Sequence, residues 1–282
     1  MNVLNLIEEI DKADPEFQDR ISPRRDAIKN ITSFGSKVAV AALPFVFSTL
    51  FKKAYGQTAP GAAVLAALNF ALKLEYLESA FYNAGAAAAS VQAGLSATEK
   101  AYLTTIQAHE NAHVKFLQGV LGANAVAQTT QGTNGTYDFT GMGAFPTVMT
   151  DSAAFLNVAM VFEDTGVRAY KGAAPSFAGQ QVYLTAALDI HSVEARHASA
   201  IRQLLAARGI SIKPWITGAN DTGIAAANAN YAGEDNITQS GVNVTTLAGI
   251  GGNISANAAT EAFDEPLDAT TVATLVAPFG VK

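Results

Sequence analysis

The chain has 282 residues, 49% of them hydrophobic and 15% charged, a net charge of −6 and no cysteine. This composition describes an apolar globular protein with a sizeable core, and its 18 Lys and Arg form no long basic run in the main body, which argues against nucleic acid as a partner. Without cysteine there are no disulfides, thiolate zinc sites, iron–sulfur clusters or cysteine nucleophiles, so any metal must be held by nitrogen and oxygen.

Residues 1–57 differ from the rest. Val3, Leu4, Ile7 and Ile10 stand at helical spacing, and Ser22-Pro23-Arg24-Arg25-Asp26-Ala27-Ile28-Lys29 follows. An apolar run from Val38 to Phe51, interrupted by Pro44, leads to Lys52-Lys53. Fourteen residues are few for a bilayer span but suit the core of an export signal, with cleavage near Gln57 after the small residues Ala54 and Gly56. The arginine pair resembles a twin-arginine export signal, departing from it at Pro23 and Ala27. The expectation is an exported, periplasmic protein with no stable membrane span after processing. The alternative is an uncleaved N-terminal helix packed on a cytoplasmic domain.

From residue 58 to 210 the periodicity predicts four helices. Leu68, Leu72, Glu75, Ser79 and Tyr82 form one stripe between Gly61 and about Gly85, and a glycine- and alanine-rich stretch to Gly94 closes that helix. Ser96 with Glu99 is a capping box, opening a second helix with Ile106, Glu110, His113, Leu117 and Val120 on one face. Residues 122–150 hold many Gly, Thr and Asn and read as a loop long enough to cross a bundle. Asp151 or Ser152 caps a third helix with the stripe Leu156, Ala159, Glu163, Gly166 and Tyr170, and Gly172 is expected past its end. The fourth runs from about Ser176 to Arg208, carrying Tyr183, Ala187, Ile190, Glu194, His197, Ile201 and Leu204, with Gly209 as the stop. Residues 211–282 read as an irregular C-terminal extension over the bundle, ending in a short helix from Asp268 to Leu275.

Two helical hairpins joined by a long crossover are thus predicted, and they repeat each other. Glu110-x-x-His113 and Glu194-x-x-His197 stand 84 positions apart, each preceded by a helix with a Glu and a Tyr seven positions later: Glu75 with Tyr82, Glu163 with Tyr170. A Glu and a His at i and i+3 lie on one helix face, so the carboxylate can bridge two metal ions while the imidazole caps one. Four carboxylates balance two divalent ions, whereas without a cation they would repel one another and resist desolvation. The repeat selects Glu75 over Glu78, because Glu75 corresponds to Glu163 and Glu78 to Gly166. Glu78, His109 and His191 are expected to be exposed or to support the ligands from behind. Tyr82 and Tyr170 are read either as core tyrosines or as partners close to the metals.

Leu74-Glu75-Tyr76-Leu77-Glu78-Ser79-Ala80-Phe81-Tyr82, Ala108-His109-Glu110-Asn111-Ala112-His113 and Ser192-Val193-Glu194-Ala195-Arg196-His197 resemble the ferritin-like superfamily. More narrowly, they resemble exported bacterial ferritin-like proteins related to desiccation-related proteins, over roughly residues 60–210, with Glu261-Ala262-Phe263-Asp264-Glu265-Pro266 adding to the likeness. The resemblance implies an all-α, ferritin-like four-helix bundle with a long crossover between its second and third helices and two iron or manganese ions. Glu75, Glu110, His113, Glu163, Glu194 and His197 match the ligand pattern. Expected partners are those metal ions with dioxygen or peroxide, as in Fe(II) oxidation or peroxide removal, and homo-oligomers are compatible with this reading. Three alternatives stand beside it. One is a non-catalytic structural or stress-protection protein. Another is an iron-storage cage, against which the long tail counts. The third is a zinc metallopeptidase built on His109-Glu110-Asn111-Ala112-His113, which would leave the second half-site unexplained.

Overall fold

The computed structural model describes residues 60–249 and 252–282, so the expected export signal at residues 1–57 lies outside the described residues. Four long helices carry the fold: α1 (Ala62–Ala87), α3 (Ala97–Leu121), α4 (Ser152–Ala173) and α5 (Gln181–Ala207). The first pair packs as one hairpin and the second pair as another, with α1 facing α4 and α3 facing α5 across the bundle. Among the described residues, no helix is long and apolar enough to cross a membrane.

The helix starts follow from their caps. Ser96 Oγ accepts from Glu99 N while the Glu99 carboxylate accepts from Ser96 N, and the Asp151 carboxylate accepts from Ala154 N. Elsewhere the chain departs from the expected boundaries. The stretch after α1 contains a further short helix, α2 (Ala89–Ala93), whose Val91 is buried in the core. The fourth bundle helix starts at Gln181 and not at Ser176, because a separate 3-10 turn over Ala174–Phe177, with Pro175 near its start, comes first. Gly172 lies inside α4, not beyond it: a Cβ there would stand 1.8 Å from the Leu267 carbonyl oxygen, so glycine lets the C-terminal segment lie directly on the helix.

Between the hairpins sits an aromatic cluster. Phe81, wholly buried, stacks parallel on Phe155 with ring centroids 4.5 Å apart and meets Tyr82, Phe139 and Phe162 edge-on. Each such pair contributes about 0.5–1.5 kcal/mol beyond the area it buries. Phe139 comes from the crossover, which is held at its far side by the C-terminus: Gly132 N donates to Gly280 O and Asp138 N to Phe279 O.

The segment after α5 is irregular but closely fitted. It holds two short antiparallel pairs, β1 (Thr238–Gln239) with β2 (Val242–Asn243) and β3 (Ala248–Gly249) with β4 (Gly252–Asn253). The helices α6 (Ala256–Thr260) and α7 (Ala269–Val276) follow, and the Asp268 side chain caps α7 as expected. Two buried arginines fasten this segment. Arg168 on α4 pairs with Glu234 at 2.7 Å and donates to the Asn230, Ala232 and Glu265 carbonyls. Arg202 on α5 bridges Asp164 and Asp221, while Tyr231 Oη donates to Asp164. Removing one member of such a pair would leave a buried charge alone, at a cost of about 3–5 kcal/mol.

Candidate metal centre

The capping box sets the phase of α3 and so the direction of Glu110 and His113, one turn apart on its buried face. Arg208, just past the end of α5, pairs with Glu99 and holds that carboxyl at about 2, well below its ordinary range. The start of α3 and the end of α5 are thereby tied together at one end of the bundle. Midway along, Glu75 from α1, Glu163 from α4 and Glu194 with His197 from α5 turn inward, and all four glutamates are fully buried.

The side chains form two overlapping groups. Ligand-type atoms of Glu75, Glu110, His113 and Glu194 lie within 4.8 Å of one another, as do those of Glu110, Glu163, Glu194 and His197. Glu110 and Glu194 belong to both groups. His113 Nδ1 stands 3.2 Å from Glu75, 3.3 Å from Glu110 and 3.1 Å from Glu194. His197 Nδ1 stands 2.8 Å from Glu110, 3.3 Å from Glu163 and 3.8 Å from Glu194.

His113 Nδ1 and Glu110 Oε2 form a hydrogen bond at 3.3 Å, but most of the other close approaches are not pairings. Glu75 Oε2, Glu110 Oε1, Glu163 Oε2, both Glu194 oxygens and His197 Nδ1 are buried without a properly aligned hydrogen bond. Orphaned buried acceptors each cost on the order of 1–3 kcal/mol, and more when charged. Aimed at common points from two sides, this donor set of oxygens with one imidazole per group suits cations such as iron, manganese or zinc. It is compatible with a metal site.

The outward oxygens of the two lone glutamates are satisfied, and in a crossed manner. Tyr82 on α1 donates to Glu163 Oε1 on α4, and Tyr170 on α4 donates to Glu75 Oε1 on α1. Each tyrosine therefore serves the glutamate of the opposite helix and not the one seven residues before it. Burial, then the adjacent carboxylate, pushes both phenols well above their usual range, so they stay protonated as donors. Burial also raises Glu75, to about 8, and lifts Glu163 well above the carboxylate norm. For the histidines burial works against the charged form, but the carboxylates outweigh it: His197 reaches about 12 and His113 rises strongly too. Burial would raise Glu194 as well, yet the two imidazoles close beside it bring it down to about 2.

Three further residues surround the cluster. Glu78 lies outside both groups but is buried, only 4% exposed, where an exposed position was one of the two sequence expectations. Burial, with the four cluster carboxylates near it, lifts its carboxyl well above the usual range. Its Oε1 lies 3.2 Å from where a Cβ on Gly166 would be, in the space left by the residue that replaces it in the second half of the repeat. His109 also lies outside both groups. Its Nδ1 meets His197 Nε2 at 2.9 Å with the rings stacked, so it backs the imidazole of the other half-site. A metallopeptidase arrangement needs His109 and His113 on one ion, whereas only His113 belongs to a candidate ligand group. His191 is half-buried, and its Nδ1 has no hydrogen-bond partner.

No curated protein and no solved structure gives a significant match to the chain. A family profile described as the ferritin-like domain matches residues 63–207, more than half of the 282 residues, from the start of α1 to the end of α5. With that match spanning all four helices that supply the buried carboxylates and imidazoles, the chain belongs to the ferritin-like family.

Proposed function

We propose that the cluster holds two divalent metal ions, iron or manganese, and that the protein works through this pair. Glu75 and His113 would belong to one ion and Glu163 and His197 to the other, with Glu110 and Glu194 shared. The observation that carries this reading is the set of inward oxygens and the imidazole nitrogen left unsatisfied in two groups with two members in common. When bound as Fe(II), such a pair supplies two electrons, enough to reduce dioxygen to hydrogen peroxide with two protons. The chain's own part is positioning. Tyr82 and Tyr170 fix the terminal carboxylates by their outer oxygens, and His109 holds the ring of His197 from behind. The proposal includes export, on the strength of Arg24-Arg25 and the apolar run at residues 38–51, and the mass of the mature protein tests that part.

Elemental analysis of purified protein tests the centre. About two iron or manganese per chain are expected, and Glu110→Ala and His113→Ala should lose them. Metal-free protein whose stability does not change on adding Fe(II) or Mn(II) would overturn the proposal in favour of a purely structural bundle. If metal is bound, ferric absorbance after mixing Fe(II)-loaded protein with dioxygen separates an oxidase from a static site.

A further inference from the structure

Against Tyr82, a cavity of about 40 Å³ opens between α1, α2, α3 and Phe155 of α4. At about 10–15 Å³ for one water, it has room for a molecule of about three or four non-hydrogen atoms. Its floor is apolar and buried: the Tyr82 ring, Leu103 and Phe155. A Cβ on Gly85 would stand 2.2 Å from Phe155 Cε2, so glycine there lets the phenylalanine lie directly on α1 and close the floor.

The rim is polar and carries a positive charge. Lys100 has no ion-pair partner among the described residues, and the glutamate beside it, Glu99, is committed to Arg208. Lys100 stands near the start of α3, the positive end of that helix, where a cation is disfavoured and an anion favoured. Gln92 Nε2 donates to the Gly85 carbonyl and Gln107 Nε2 to Asn83 Oδ1, which leaves each amide a second N–H. The Thr104 hydroxyl joins them at the rim. A cation with amide and hydroxyl donors above an apolar floor matches an amphipathic anion. Water uses the rim but not the floor, and an inorganic anion gains nothing from the rings. We propose that this cavity binds a short-chain carboxylate such as acetate, with its carboxylate on Lys100 and its methyl group on the floor of Tyr82, Leu103 and Phe155. Because the Tyr82 hydroxyl fixes Glu163, the occupant touches the support of one cluster carboxylate, yet binding itself needs no metal.

Ligand-observed NMR on the metal-free full chain, at constant ionic strength, tests this site apart from the metal-pair reading. Saturation transfer to the acetate methyl group should reach a plateau at millimolar acetate, in keeping with so small a ligand. Acetamide, of the same shape without the charge, should bind about 10-fold more weakly or worse, and nitrate should compete no better than acetamide. Lys100→Met should weaken acetate about 10-fold or more, whereas Lys100→Arg should keep most of the binding. Lys100 is exposed, so both variants should retain the wild-type helical content. Crystals soaked in acetate should show it between Lys100 and Leu103. Equal binding of acetate and acetamide, or wild-type affinity in Lys100→Met, would overturn the proposal, as would soaked crystals that hold acetate only elsewhere.

Discussion

Loading two divalent ions into the metal-free protein at pH 7 should release about four protons. His197, pushed up to about 12, and His113, raised strongly as well, each carry one in the absence of metal. Glu75, at about 8, is roughly nine-tenths protonated at pH 7, and Glu163, raised well above its ordinary value, brings the fourth. Charge balance supports the same count. Four protons leave as two divalent ions bring in four positive charges, so the net charge of the buried cluster is the same in either state. The overall binding constant for the pair should accordingly climb up to about 10⁴-fold per pH unit near neutrality, less steeply once Glu75 ionises above about 8. Calorimetric titration with Mn(II) in two buffers of different protonation enthalpy gives the proton number directly. Release of fewer than about one proton per pair would refute the electroneutral exchange.

Replacing Tyr82 by Phe removes the donor to Glu163 Oε1 and should cost about 1–3 kcal/mol in urea unfolding of the metal-free protein, with metal affinity falling about 10-fold or more. Gly172→Ala sets a methyl against the Leu267 carbonyl, so limited proteolysis should cut the C-terminal segment much faster than in wild type while the bundle persists; an unchanged digestion rate would count against the close contact. Glu99 is held below its unfolded value, so it stabilises the fold above pH 4.5, and this is lost as pH falls toward 2. Glu99→Gln should therefore lower the melting temperature at pH 7 but hardly at pH 2, with a difference on the order of 1–3 kcal/mol in stability.

The four bundle helices were legible because each keeps an apolar stripe of helical period, and caps such as Ser96, Asp151 and Asp268 act within four residues of themselves. The convergence of the six candidate ligands could be anticipated for a related reason: helical phase turns each inward, and the internal repeat pairs them. What stayed hidden depends on distant residues meeting. Nothing within a window around Gly172 announces that Leu267 will lie on it, and nothing near Glu78 tells a buried acid from an exposed one, except that its counterpart is the glycine over which it sits. The partner of His109 is 88 positions away, and the crossed tyrosines pair over 81 and 95 positions, beyond the reach of any local pattern.

The crossed tyrosines have a consequence for what half of this molecule could do. Within one hairpin, a tyrosine and the glutamate seven residues before it stand about 10 Å apart along the same helix and cannot meet. A single hairpin would thus carry one unused donor and one unserved acceptor, and two copies facing each other would complete both. The bundle is thus two similar halves that complete each other across the crossover, and they differ where Glu78 on one faces Gly166 on the other.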